Sequence, residues 1–119
     1  MTRHRDRGFT LVEILVVVGI IGILAMIAIS QFNGYRNRSI DAQLKSDLRN
    51  AAVAVEAYFI KRSVYPMSTA EIEAYGFRAT SGVTLTLNIL TPNSYAITAA
   101  KPGGTQPSFT FTSASGSIN

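Results

Sequence analysis

The feature that most constrains this chain is an uninterrupted apolar run near its beginning. No charged side chain occurs from Ile14 to Ile29, and Glu13 is the last charge before the run. A helix rises about 1.5 Å per residue, so the run nearly crosses a ~30 Å hydrocarbon core, and with Phe9 and Phe32 as its limits it can span one. A domain of 119 residues cannot bury such a segment in a soluble core. We therefore expect it to anchor the chain or to drive its assembly.

A short basic stretch precedes the apolar run, and two processing events are compatible with it. Basic residues ahead of a hydrophobic segment favour a cytoplasmic N-terminus. The three arginines of the stretch are Arg3, Arg5 and Arg7. In one interpretation an ordinary signal peptidase cuts after Ser30, so that the mature chain begins at Gln31. In the other, the cut follows Gly8 and the apolar run stays in the mature protein.

Glu13 distinguishes the two interpretations. A carboxylate costs about 2.5 to 3.5 kcal/mol at the centre of a bilayer, and the hydrophobic cores of signal peptides normally exclude it. A cut after Gly8 creates an ammonium group on Phe9, four residues before Glu13, which predicts an ion pair within one chain or between neighbouring chains. The alternative is that Glu13 lies among the lipid headgroups and only interacts with the positive end of the helix dipole.

The residues around Gly8 resemble the processing signature of type IV pilins and related pseudopilins. The similar segment is RGFTLVE at residues 7–13, followed by the apolar residues Ile14 to Ala25. The resemblance implies a class III signal peptide, cleavage between Gly8 and Phe9, and N-methylation of Phe9. It also implies that Glu13 neutralises the Phe9 amine of a neighbouring subunit during assembly.

The same resemblance implies partners and a location. The expected partners are identical subunits in a homopolymer, a prepilin peptidase, the inner-membrane assembly machinery and minor pilins. The chain is expected in the bacterial inner membrane before assembly and in an extracellular pilus filament afterwards. Major pilin, minor pilin and pseudopilin of a secretion or DNA-uptake system stay open as alternatives. Ser30 stands where many members of the family carry proline, so the bend of the helix also stays open.

A second apolar pattern follows the uncharged run and predicts an amphipathic helix. No proline occurs from Gln31 to Arg62. Apolar residues recur there at three- or four-residue spacing, and they are Ile40, Leu44, Leu48, Ala51, Val55 and Phe59. One helix from Thr10 to Arg62 would be roughly 80 Å long, so we expect its hydrophobic half to protrude from the globule.

The remainder of the chain has the turn and capping residues that are typical of a small antiparallel sheet. Pro66 ends the long helix, and Ser68 with Glu71 predicts a capping box for a short helix reaching Tyr75. Alternating or turn-bounded runs predict three strands, at 83–89, 95–100 and 108–113. Residues 113–119 are predicted to form an exposed tail.

These patterns give an α+β fold class, in which a long N-terminal helix packs on a small three-stranded antiparallel sheet. They divide the chain into a leader peptide (1–8), a hydrophobic transmembrane and assembly helix (9–30), the amphipathic half of the same helix (31–62) and a small β globule (63–119).

The amino-acid content argues against an enzyme. The chain has no cysteine, and its one histidine, His4, lies in the predicted leader. A mature chain would lack the commonest general base and the usual transition-metal ligands. We therefore expect no catalytic residue, no metal, no cofactor and no small-molecule substrate.

Two other classes of function use the charged residues of the second half. A secreted or membrane-anchored binding module would use the basic residues of the long helix, namely Arg36, Arg38, Lys45 and Arg49. Because Asp41 and Asp47 are interleaved with them, a solvated helix face is the favoured interpretation. An anchored enzyme would use Glu56, Glu71 and Glu73, but the last two point to different sides of a helix.

Overall fold

In the computed structural model of this protein, residues 8–119 are described. The basic stretch and His4 lie outside the described residues. The elements of the described part are α1 (Leu11–Arg62), α2 (Thr69–Glu73), β1 (Thr84–Thr91), β2 (Ser94–Ala100), β3 (Ser108–Thr112) and β4 (Ser117–Ile118). They fall into two compact units, an N-terminal unit that ends at Gly34 and a C-terminal unit from Tyr35 to Asn119.

The predicted long helix is confirmed. α1 is helical without interruption through its glycines and through Ser30, and it ends at Arg62 as expected. The residue after it, Ser63, adopts a left-handed backbone with φ of 56°, and its N–H donates to the carbonyl of Phe59 at 2.7 Å. A non-glycine residue in this conformation costs about 1 to 2 kcal/mol, so the helix ends at a strained position.

The apolar face of the second half of α1 forms the core of the C-terminal unit. Leu44, Leu48, Ala51 and Val55 are fully buried, and Ile40 is nearly so, which confirms the predicted face. Phe59 is half-buried and stacks on Tyr65, with ring centroids 4.5 Å apart. The residues that complete the core are Ile72, Phe77, Tyr95, Ile97, Ala99 and Phe109.

The sheet is antiparallel, with the strands in the order β1-β2-β3-β4. β2 is central, and its Ile97 lies between Leu87 on β1 and Phe111 on β3. Burial alternates along β2, where Tyr95, Ile97 and Ala99 face the helix. The three predicted strands are confirmed, with ends that differ by one or two residues.

The prediction of an exposed C-terminal tail was wrong, because a fourth strand occupies it. Ser117 and Ile118 pair with Thr112 and Phe111, and the backbone of Asn119 exchanges two hydrogen bonds with Thr110 at 2.8 and 3.0 Å. Gly116, with φ of 64°, lets the chain reverse. Ile118 then packs against the core, which adds an apolar contact to these hydrogen bonds.

The short helix α2 is confirmed, although it ends at Glu73 rather than Tyr75. The Glu71 carboxylate accepts hydrogen bonds from the backbone N–H groups of Met67 at 2.6 Å and Ser68 at 3.3 Å. After the helix, Gly76 has φ of 90°, and the Phe77 N–H donates to the Ile72 carbonyl at 3.3 Å. This is a Schellman arrangement, and it brings Phe77 onto Ile72 in the core.

The interpretation of the charged residues of α1 as a solvated face was wrong for Asp47, which is buried, and it left out the loop contacts that both Asp41 and Asp47 make. Each carboxylate accepts two hydrogen bonds from one threonine, through the threonine N–H and its hydroxyl. For Asp47 the donor is Thr80, at 2.8 and 2.9 Å, and for Asp41 it is Thr105, whose N–H lies at 2.9 Å. Asp47 is only 4% exposed. The two aspartates therefore fix two loops to α1.

Candidate functional site

The first turn of α1 is closed by reciprocal hydrogen bonds between Thr10 and Glu13. The Thr10 N–H donates to Oε2 of Glu13 at 2.8 Å, and the Glu13 N–H donates to Oγ1 of Thr10 at 3.2 Å. The Thr10 carbonyl also accepts the first helical bond, from Ile14 at 3.3 Å. Together these bonds form a capping box, which satisfies two of the unpaired N–H groups at a helix N-terminus.

The capping box is the site feature that the sequence analysis missed. Its signal was present, because Thr10 and Glu13 have the Thr-x-x-Glu spacing of the motif, and the same spacing predicted the start of α2 correctly. Glu13 was weighed only as the partner of an ammonium group or of the helix dipole. The structure adds a third role for Glu13, which is to cap the helix of its own chain together with Thr10.

Gly8 and Phe9 lie just before the capping box and are open to solvent. Phe9 is 85% exposed, and α1 begins two residues after it, at Leu11. Gly8, Phe9, Thr10 and Glu13 line one shallow depression. A Cβ placed on Gly8 would meet no atom within 4 Å. The described structure thus leaves the Gly8-Phe9 bond accessible and brings Glu13 beside the same depression.

Past the capping box, α1 presents apolar side chains on every face. Each large hydrophobic residue from Leu11 to Ile29 is at least 51% exposed. The helix is long and apolar enough to cross a membrane, a test that a signal sequence near an N-terminus also passes. Helices that are apolar all round occur in membrane spans or in the interior of large assemblies.

The residues of the two alternative functions lie on α1 and α2. Arg36, Arg38 and Arg49 are exposed, while Lys45 lies over the ring of Phe109 at 4.8 Å. Glu71 is engaged by the start of α2, and it also accepts a hydrogen bond from the Tyr58 hydroxyl at 3.3 Å. Its surroundings therefore account for it as a structural residue.

Comparison with known proteins agrees with this arrangement. The family described as the prokaryotic N-terminal methylation motif matches residues 3–29. The type IV wide pilus major component of Thermus thermophilus is 34% identical over 100 residues, which are 83% of this chain and 76% of that protein. This chain belongs to the type IV pilin family.

Two further relatives show the range of the family around this pilin. The type IV major pilin protein of Myxococcus xanthus is 37% identical over 84 residues, 65% of this chain and 38% of that protein. The type II secretion system core protein G of Pseudomonas aeruginosa is 35% identical over 74 residues, 62% of this chain and 52% of that protein. The matched relatives are thus named as pilus and secretion components.

A solved structure confirms the fold of this pilin. A type IV pilin protein from Thermus thermophilus superposes with a TM-score of 0.52 at 22% identity, covering 66% of this chain and 94% of that one. The expected α+β fold of a long helix on an antiparallel sheet is therefore confirmed, with four strands in place of three.

Proposed function

We propose that this pilin is the structural subunit of a type IV pilus or a pilus-like filament, and that it polymerises through the first half of α1. The observation that carries the proposal is the exposure of every large hydrophobic side chain from Leu11 to Ile29. In water this surface is costly at roughly 25 cal/mol per Å². Lipid covers it before assembly, and the helices of other subunits cover it in the filament.

Glu13 has one role in each state under this proposal. Before processing, its Oε2 accepts the hydrogen bond from Thr10 that caps the helix. After a cut between Gly8 and Phe9, the new Phe9 ammonium of a neighbouring subunit binds the carboxylate. Oε1 suits this second partner, since within residues 8–119 no hydrogen bond engages it. A carboxylate left unpaired in an apolar helix bundle would be strongly disfavoured.

The proposed cut and its consequences rest on the open junction. Because no described atom crowds Gly8, the chain itself gives no steric reason for glycine there. We attribute the glycine to the prepilin peptidase, which removes the leader. N-methylation of Phe9 then leaves the amine positively charged and able to donate hydrogen bonds. Minor pilins and an inner-membrane machine complete the proposed set of partners.

The first experiment identifies the mature N-terminus. Sheared surface filaments, or the membrane fraction, are digested and the N-terminal peptide of this chain is sequenced by mass spectrometry. The proposal expects N-methylated Phe9. A mature chain that begins at Gln31 would instead establish a conventional secreted protein, and retention of residues 1–8 in filaments would contradict the processing step.

The second experiment separates the charge of Glu13 from its capping role. Glu13→Gln keeps an acceptor for the Thr10 N–H but removes the charge, and Thr10→Val removes the hydroxyl but keeps the charge. We expect Glu13→Gln and Glu13→Val to insert in the membrane but to lose most filaments, while Thr10→Val assembles. If Thr10→Val loses its filaments while Glu13→Gln assembles, capping rather than ion pairing is the role of Glu13 in assembly.

A pseudopilin of a secretion system is the second candidate, favoured by the similarity to the type II secretion system core protein G. The two candidates differ in the location of the assembled polymer. A pilus subunit is abundant in filaments sheared from the cell surface and seen by electron microscopy. A pseudopilin stays with the cells at normal expression, and its deletion leaves surface filaments unchanged.

A further inference from the structure

The strand β1 is an edge strand of the sheet in the C-terminal unit, and α2 lies near part of it. It pairs with β2 on one side, and it begins the strand order. None of its eight residues is buried, and six are exposed. The neighbouring strand β2 buries three residues, so the low burial belongs to the position of β1 and not to the whole sheet.

The sequence of β1 gives this edge little protection. From Thr84 to Thr91 it reads TLTLNILT, without charge, proline or glycine. Natural edge strands usually carry a lysine, a proline or a bulge that prevents pairing with another chain. The one such feature in β1 is an irregularity between Ile89 and Thr91, at its end. The stretch before it is regular and uncharged.

The backbone of β1 offers hydrogen bonds that the chain itself does not use. In an antiparallel ladder, every second residue points its N–H and C=O away from its partner strand. Within residues 8–119, the turn, loop and side-chain hydrogen bonds do not engage the backbone from Thr84 to Leu90. Half of this backbone therefore faces outward and can accept another strand.

We propose that this edge pairs with β1 of a second copy of the chain, antiparallel and about a two-fold axis at Leu87. The register then places Leu85 opposite Ile89 of the second copy, Thr86 opposite Asn88, and Leu87 opposite Leu87. It keeps Leu85, Leu87 and Ile89 of both strands on one face of the joined sheet, whereas Leu90 lies in the irregular end of the strand. A slip by one residue would move the threonines onto that face.

The second copy is the occupant that the strand itself indicates. Because β1 is uncharged, self-pairing brings no like charges together, and its regular part from Leu85 to Ile89 is symmetric in its alternation of apolar and polar residues. Ile89 is 40% exposed and would be covered by Leu85 of the partner. The pairing would join two four-stranded sheets into one.

The consequence for a filament depends on symmetry and rests on the proposed function. Successive subunits of a polar filament are related by a screw, whereas this contact has a two-fold axis. The pairing therefore connects subunits of different filaments and bundles them. The pairing itself requires only the C-terminal unit and is independent of whether filaments form.

Single cysteines can test the register, because the chain contains no other cysteine. Paired residues have Cα atoms about 4.5 to 5.5 Å apart, within the range of a disulfide, and residues two positions out of register exceed the limit of about 7 Å. Thr86→Cys and Asn88→Cys chains are mixed in detergent micelles, oxidised with copper phenanthroline and separated on a denaturing gel without reductant. Both positions are exposed, so folding is not at risk.

The expected result is a disulfide-linked heterodimer from this mixture. Thr84→Cys mixed with Asn88→Cys is the matched control and is expected to give none above the level of Asn88→Cys alone. Equal cross-linking in both mixtures would show random collision and overturn the register. Absence of the heterodimer, or a disulfide only to some other protein, would overturn self-pairing.

A charge on the edge gives a second, independent measurement. Asn88→Lys places two like charges close together in the proposed contact, so bundles should separate into single filaments while the amount of sheared filament stays the same. Ser115→Lys, exposed and away from β1, is the control and should leave bundles intact. Persistent bundles in Asn88→Lys would overturn the proposal. If the parent strain, with the unmodified chain, forms no filaments, the proposed function is overturned. The cysteine test then decides the pairing by itself.

Discussion

The two halves of α1 use apolar residues in different ways. From Leu11 to Ile29 the side chains are apolar on every face and exposed, and from Ile40 to Val55 they form one buried face. The helix is continuous through both. The two halves therefore share the same backbone geometry. They differ in whether another part of the chain packs against their apolar side chains.

This difference separates stability from assembly. Residues of the second half hold the C-terminal unit together, because the sheet covers them. Residues of the first half contribute little to the folding of a single chain, since the described structure gives them no covering partner. Mutations in the two halves should then act on different measurements, and the following experiments try to break that separation.

The largest effect is expected from the same substitution made in each half. Leu48→Ala removes a fully buried side chain, and it should lower the free energy of unfolding by about 2 to 5 kcal/mol, as is usual for Leu→Ala in a core. Leu24→Ala is the matched control, because Leu24 is 60% exposed. Denaturant unfolding in detergent micelles, followed by near-UV circular dichroism, gives both values. Equal losses would show that the two halves fold as one cooperative core.

The next effect concerns the two aspartates that hold loops to α1. Asp47→Ala leaves the N–H and hydroxyl of Thr80 without acceptor in a partly buried position, so we expect a loss of about 2 to 3 kcal/mol. Asp41→Ala removes the equivalent bonds to Thr105 at an exposed position and should cost less than about 1 kcal/mol. Both are measured by the same unfolding experiment. If Asp41→Ala were the more damaging, exposure would not be what sets the cost.

A smaller, pH-dependent effect should arise from Tyr95 in the core. Burial, with a further contribution from Glu56, raises the pKa of its hydroxyl well above the usual value. The folded state then holds this proton more tightly than the unfolded state does. Its contribution to stability is complete below pH of about 10 and is lost as pH rises above that value. Unfolding free energies measured between pH 8 and 11 should fall at the alkaline end.

Tyr95→Phe is the control for that decline, because it keeps the ring but removes the titrating group. The variant also loses the long hydrogen bond from the hydroxyl to the Ala52 carbonyl at 3.5 Å. Its stability should be lower at pH 8 but should fall less steeply above pH 10. An equally steep decline in the variant would assign the pH dependence to another group.

The smallest effect is a gain, at the end of α1. Ser63→Gly relieves the left-handed backbone with φ of 56°, and it should stabilise the C-terminal unit by about 1 kcal/mol. Ser63→Ala keeps the conformational strain and serves as the control. Thermal unfolding of the two variants side by side gives the difference. A loss of stability in Ser63→Gly would mean that the serine side chain contributes more than the strain costs.

Much of the fold was predictable because local patterns and tertiary contacts agree. The spacing of Ile40, Leu44 and Leu48 predicted the buried face of α1, and the capping spacing of Ser68 and Glu71 predicted α2. The fourth strand was not predicted, since one apolar residue in a polar tail is a weak signal. Ile118 contributes to the fourth strand through its pairing with Phe111 and its contact with the core, and neither is visible in the local sequence.

The candidate site divides in the same way. Gly8, Phe9 and Glu13 were identified from the sequence, and cleavage, methylation and ion pairing at these residues stay predictions. The capping box was not predicted, because Glu13 was interpreted only as a charged group and not as the fourth residue of a Thr-x-x-Glu helix start. The loop contacts of Asp41 and Asp47 were not predicted because their threonine partners are far away in sequence, at positions 105 and 80.

By itself the sequence determined that a long uncharged helix precedes a small α+β unit, because hydrophobic periodicity and turn residues act locally. The tertiary structure decided which polar side chains of α1 hold loops, where the sheet ends, and that β1 is an edge strand. Those outcomes depend on residues far apart in the chain meeting at hydrogen-bond distance. Local periodicity carries no information about such long-range contacts.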